Sequence, residues 1–155
     1  MGDCAHRKLD NHLEFGTEFA PTAKVSVREI ELTLNMHILF VDDMPDTCEI
    51  FRLAFGLQGH TVRLASNGEE AVDAVREEQF DAIVTDVEMP AMNGWEAVKK
   101  IRTLPNGTAV PIIMFTAYGR NEEDRMKALD VGADDLLQKP ILPQELLKHI
   151  QRLVH

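Results

Sequence analysis

From Met36 onward the sequence predicts an α/β fold, a doubly wound parallel sheet with helices on both faces. Short apolar runs alternate five times with amphipathic stretches, which calls for strands joined by helical crossovers. Each run is only four to six residues and ends against a charged or polar residue, as a strand buried on both faces does. Size agrees: 155 residues at 45% apolar content suffice for one core.

The predicted strands are His37 to Val41, Thr61 to Ala65, Ala82 to Asp86, Pro111 to Thr116 and Asp135 to Gln138. After the first, Ile50, Phe51, Ala54 and Leu57 recur at helical spacing, with Gly59 where a helix would stop. Phe55 reads as core, and Leu53 as either core or a docking surface shared with Ile141 and Leu142. The second helix opens on a capping box, Asn67-Gly68-Glu69-Glu70, with Glu70 reaching back to the cap backbone. Its apolar face is Ala71, Val72 and Val75.

A third helix is expected from Gly94 to about Leu104, with Trp95, Val98 and Ile101 on one face. The fourth has Asn121 as cap, acids in its first turn and Gly132 at its end. Pro143 opens the fifth, which carries Leu146, Leu147, Ile150, Leu153 and Val154 to the core. Residues 1–35 lie outside this alternation and are expected to be a largely disordered or accessory extension, with Val27 to Leu34 helical or extended.

A formal charge of −10 disfavours direct binding to nucleic acid, whose affinity rests on Lys and Arg at phosphates. No apolar run approaches a membrane span or a signal peptide, so a cytoplasmic protein that does not enter membranes is expected. Cys4 and Cys48 read as two free thiols.

The chemistry gathers at the strand ends. In a parallel sheet the carboxyl ends of neighbouring strands lie side by side and border the ligand crevice. Asp42 and Asp43 follow the first strand, Asp86 ends the third, Thr116 ends the fourth, and Lys139-Pro140 follows the fifth. Alone, an Asp-Asp pair is ordinary solvated surface; after a fully apolar strand it is not. Carboxylates ~4 Å apart repel by ~4 kcal/mol per pair at an effective dielectric of about 20, so the cluster calls for a cation. Oxygen ligands of this kind suit Mg2+. A carboxylate beside such a metal can attack a phosphoryl group to form an acyl phosphate, with Lys139 and Thr116 serving its oxygens.

At these positions residues 36–155 resemble the receiver domain of two-component response regulators. The match comprises Asp42-Asp43, Asp86 with Met89-Pro90 and Gly94, Thr116-Ala117, and Lys139-Pro140, in the family's order. The resemblance implies a flavodoxin-like fold of strand order 2-1-3-4-5. It also implies that Asp86 accepts a phosphoryl group from a histidine kinase or histidine phosphotransfer protein. By the same carry-over Asp43, Asp86 and the backbone carbonyl of Glu88 ligate Mg2+, and Asp42 does so through a water. Thr116 would be the switch hydroxyl and Lys139 the phosphate-binding lysine. An unidentified downstream protein, and a homodimer through the same face, complete the implied partners.

The sequence departs from the pattern at Leu136, three residues before the lysine, where many receivers carry an aromatic that turns inward on activation. Tyr118 is read as lying over the site instead; it and Glu88 hold two positions that in this family tune water's access to the acyl phosphate. Met89-Pro90 and Gly94 are expected to shape the loop, with Gly94 supplying a positive φ. A single-domain regulator acting as a phosphorylation switch, not a metabolic enzyme, is the leading expectation. A receiver segment of a hybrid histidine kinase would read the same. An aspartyl-nucleophile phosphohydrolase acting at Asp42 is the enzymatic alternative.

Overall fold

The structure, a computed structural model, describes residues 35–118 and 121–154. The expectations for residues 1–34, including Cys4, lie outside the described residues. Five strands and five α-helices alternate: β1 (His37–Val41), α1 (Pro45–Leu57), β2 (Thr61–Ala65), α2 (Gly68–Glu77), β3 (Ala82–Asp86), α3 (Gly94–Arg102), β4 (Ile112–Thr116), α4 (Glu122–Val131), β5 (Asp135–Gln138) and α5 (Pro143–Leu153). The sheet is parallel throughout in the order β2-β1-β3-β4-β5, as the flavodoxin-like expectation required. β3 and β4 are buried along their whole length, because helices cover both faces and no position is left for alternation.

Two cores flank the sheet. On one side α2, α3 and α4 press Val72, Val75, Val98, Ile101 and Val131 against Leu39, Ile83, Ile112 and Met114. On the other, α1 and α5 enclose Phe51, Phe55, Leu146 and Ile150 with Ile38, Phe40, Val84 and Phe115.

The buried face of α1 is not the expected one. Cys48, Phe51 and Phe55 point inward, while Ile50 and Leu57 are exposed at 58% and 87%. Phe51 belongs to both stripes, and the strands choose between them: its ring stacks on Phe40 at 4.8 Å and meets Phe115 at 6.4 Å. That orientation brings Phe55 edge-on to Phe51 at 5.8 Å and leaves Leu53 exposed. At the other end of the chain Leu146, Leu147 and Ile150 are core, whereas Leu153 and Val154 are only half-buried.

Other boundaries move for local reasons. β4 starts at Ile112, since Pro111 has no N–H for a ladder. α3 stops at Arg102 rather than Leu104, because the residue before Pro105 is steered out of the helical region; a 3₁₀ turn, Pro105–Gly107, follows. Asn67 does cap α2, accepting the Glu70 N–H at 2.8 Å. The Glu70 carboxylate reaches one residue further back than expected, to the N–H (3.0 Å) and hydroxyl (2.9 Å) of Ser66. Asn121 caps α4 through the Asp124 N–H, and Gly132 ends it at φ 109°, a left-handed conformation that costs glycine nothing. Arg102 ties this end together: it donates to the carbonyls of Gly132, Gly107 and Val110 and pairs with Asp134.

Truncating Phe55 to Ala should cost about 3–5 kcal/mol and Leu53 to Ala under about 1 kcal/mol, read from urea unfolding midpoints. Equal costs would show that α1 is turned the other way.

Candidate functional site

The site is built where strands stop. Asp42 follows β1 and is buried; Asp43, next along, is exposed. Asp86 ends β3, Thr116 ends β4, and both are buried at 4% and 3% exposure. β5 hands on to Lys139, whose N–H donates to the Thr116 carbonyl at 2.8 Å, so the ladder itself positions the lysine. The Lys139-Pro140 bond is cis.

Lys139 bridges the acids. Its Nζ donates to Asp42 Oδ2 at 3.0 Å and Asp86 Oδ2 at 3.1 Å, and lies 4.5 Å from the Phe115 ring centroid. Asp42 is fully engaged, because its Oδ1 accepts the Met44 N–H at 2.9 Å. Asp86 is not: among the described residues its buried Oδ1 has no hydrogen-bond partner. Burial pushes the Asp86 carboxyl up to about 6; Lys139 pulls it down, and the charges of Asp42 and Glu88 raise it further. Burial would lower the Lys139 ammonium, but its hydrogen bonds to Asp42 and Asp86 outweigh that and hold it above its ordinary value. Nearby, the Cys48 thiol donates to the Asp42 carbonyl, and burial pushes it up to about 11, so it stays an inert free thiol.

Carboxylate oxygens of Asp42, Asp43 and Asp86 lie within 4.8 Å of one another. One ammonium does not balance three carboxylates, and one buried oxygen lacks a partner. An all-oxygen donor set with excess negative charge fits a small, hard divalent cation. A cleft of about 500 Å³, lined by Asp43, Glu88, Met89, Pro90, Asn93 and Trp95, opens beside the acids.

Thr116 shares this edge but is held by other groups. Its Oγ1 accepts the Tyr118 N–H at 3.1 Å and lies 3.1 and 3.2 Å from the two Glu88 carboxylate oxygens and 3.1 Å from the Tyr118 carbonyl, among which it has one proton to give. The side chain of Glu88 thus has a contact that sequence reasoning missed. The available signal was that Glu88 and Thr116 follow or end adjacent strands. Tyr118 is 72% exposed. Leu136 is fully buried. Trp95 packs against the core, with the Lys127 ammonium 4.6 Å from its ring centroid.

Gly94 is needed for closeness rather than for a positive φ. A Cβ there would lie 2.1 Å from the Asp86 carbonyl oxygen, while the left-handed residue of this loop is Ala91, at φ 65°.

The family model of the response regulator receiver domain matches residues 38–151. The chain belongs to this family. The receiver is 43% identical over 118 residues to an uncharacterized 14.6 kDa protein in the sodA1 3′ region of Leptolyngbya boryana, covering 76% of this chain and 89% of that one. It is 40% identical over 119 residues to the response regulator MprA of Mycobacterium leprae, covering 77% of this chain and 51% of the relative. The chain thus spans about half the length of its MprA relatives. Among solved structures, the receiver resembles chemotaxis protein CheY4 of Vibrio cholerae, with TM-score 0.72 and 34% identity over 76% of this chain and 97% of that one. It also resembles the receiver domain of sensor histidine kinase PA1611 from Pseudomonas aeruginosa, with TM-score 0.70 and 33% identity over 77% and 98%. That structure holds a magnesium ion coordinated in its active-site cleft. Among the described residues of this receiver no helix is long and apolar enough to cross a membrane.

The Asp86 pKa of about 6 stands above its unfolded value, so between about pH 4 and 6 the folded receiver keeps a proton that the unfolded chain releases. This part of the stability is present at low pH and lost as pH rises through that window. With divalent cations removed, Asp86→Asn should therefore gain about 1–3 kcal/mol at pH 7.5 and close to nothing below about pH 4, measured by urea unfolding. Gly94→Ala should lose roughly 2–4 kcal/mol in the same assay, because the Cβ must displace the Asp86 backbone.

Proposed function

We propose that this chain is a single-domain response regulator whose Asp86 accepts a phosphoryl group from the phosphohistidine of a cytoplasmic histidine kinase or histidine phosphotransfer protein. One observation carries this reading: among the described residues Asp86 alone of the buried acids keeps a carboxylate oxygen without a partner, while its other oxygen is held by Lys139. Asp42, with both oxygens engaged, is a poor nucleophile, which disfavours a phosphohydrolase acting there.

In the proposed step an Asp86 oxygen attacks phosphorus in line with the leaving imidazole. An O–P bond forms, the N–P bond breaks, and the imidazole leaves with the electron pair and is protonated from solvent. Asp43, Asp86 and the Glu88 backbone carbonyl would hold Mg2+ directly and Asp42 through a water. When bound, Mg2+ supplies charge neutralisation for the transferring oxygens. Lys139 already stands 3.1 Å from Asp86 and can turn its ammonium from the carboxylate to the phosphoryl oxygens. Thr116 offers its hydroxyl to the same group once released from Glu88 and Tyr118. The chain would catalyse only its own phosphorylation and dephosphorylation, and act on a downstream protein or on a second copy through its changed surface.

Magnitudes limit the switch. Hydrogen bonds to charged groups contribute roughly 1.5–3 kcal/mol each, so new bonds from Thr116 and Lys139 yield about 3–6 kcal/mol before the bonds they replace are subtracted. Reversing a 1:99 population needs about 5.5 kcal/mol. A phosphorylated chain should therefore sample both states.

A second reading, a receiver segment of a hybrid kinase, is favoured by the likeness to the PA1611 receiver, which itself belongs to a sensor histidine kinase.

Incubation with acetyl phosphate and Mg2+ should add one phosphoryl group to the intact mass. The adduct should be absent in Asp86→Asn and on chelation, and reduced at least tenfold in rate in Lys139→Ala. An adduct that persists in Asp86→Asn, or none in the native chain, would overturn the assignment.

A further inference from the structure

The position from which many receivers turn an aromatic inward is filled here by Leu136, already buried and without a ring to turn. Yet the structure keeps space of the kind such a ring would fill. A pocket of about 140 Å³ lies between α3, α4 and the β4 end, lined by Val87, Glu88, Trp95, Thr116, Tyr118, Asp124, Lys127 and Leu136. Cavities of about 150 Å³ in protein interiors accept a benzene ring. Tyr118, the chain's one tyrosine, is among these lining residues and is 72% exposed.

What keeps it there is on the same residues. Thr116 Oγ1 accepts the Tyr118 N–H and lies within reach of the Tyr118 carbonyl, while Glu88 shares the hydroxyl from the other side. The backbone of Tyr118 is thus clamped by the very hydroxyl that an acyl phosphate on Asp86 would recruit. We infer that Tyr118 is the coupling side chain of this receiver: when Thr116 swings to the phosphoryl group, the clamp opens and the tyrosine ring turns into the cavity beside Trp95.

The destination suits it chemically. The Lys127 ammonium, 4.6 Å from the Trp95 ring centroid, lines the cavity and can face a second aromatic. The carboxylates of Glu88 and Asp124 are there to accept the phenol hydroxyl, which a buried tyrosine requires. Glu88, losing Thr116, gains a replacement donor in the same movement. The inference rests on the phosphoacceptor reading of Asp86, and its test separates the two.

With 3-fluorotyrosine incorporated, the single fluorine reports Tyr118 alone. Its resonance and its H2O/D2O isotope shift are recorded before and after acetyl phosphate and Mg2+, with intact mass taken on the same sample and Asp86→Asn as control. The expected result is a phosphoryl adduct accompanied by a displaced resonance whose isotope shift at least halves, with neither change in the control. An adduct with the isotope shift unchanged would overturn the role of Tyr118 and leave the phosphoacceptor intact. The absence of an adduct would overturn both.

Discussion

A single ammonium holds the strand ends together. Lys139 comes from the loop after β5, yet its Nζ lies between Asp42 beyond β1 and Asp86 at the end of β3, spanning β4 on the way. Without it, buried carboxylates would face each other across a few ångströms with no counter-charge at all. With it, the charge is only partly balanced: burial raises the Asp86 carboxyl, the charges of Asp42 and Glu88 add to that, and among the described residues one Asp86 oxygen is left without a partner. The fold supports this arrangement from below: besides the site residues, the two strands buried along their full length carry one polar side chain, Thr85, whose hydroxyl is spent on the Asp86 carbonyl.

The same economy governs the loops. Gly94 allows α3 to begin against the carbonyl of Asp86, which sets the start of the helix beside the acid. Thr116, the last residue of β4, can donate to Glu88 while accepting the Tyr118 N–H. Each contact that orders the site is therefore one with which the proposed phosphoryl group would compete.

β1, β3 and β4 were legible because burial on both faces leaves a compact apolar block, ended or followed by a charged or polar residue; β2, part-buried at the sheet edge with Arg63 in it, was legible from its place in the alternation. For the same reason Asp42, Asp43, Asp86, Thr116 and Lys139 could be picked out, since strand order alone brings such ends together. The face of α1 was not legible: two stripes through Phe51 satisfy helical spacing, and the choice is made by Phe40 and Phe115, which are distant in sequence. Nor was the bond from Thr116 to Glu88, because it depends on the path of a loop rather than on any period. Gly94, expected to supply a positive φ, answers instead to the Asp86 carbonyl, and the left-handed residue of this loop is Ala91.

The two sides of the sheet also differ in mechanical character. α1 is rooted by two phenylalanines stacked into an aromatic cluster, whereas α4 commits only Ala128 and Val131 to the interior. Its C-terminal end is gripped by Arg102 through the Gly132 carbonyl, and its N-terminal end rests on one asparagine cap. The helix is therefore anchored chiefly at its Gly132 end, and it carries the exposed Met126 and Leu129 on its outward face.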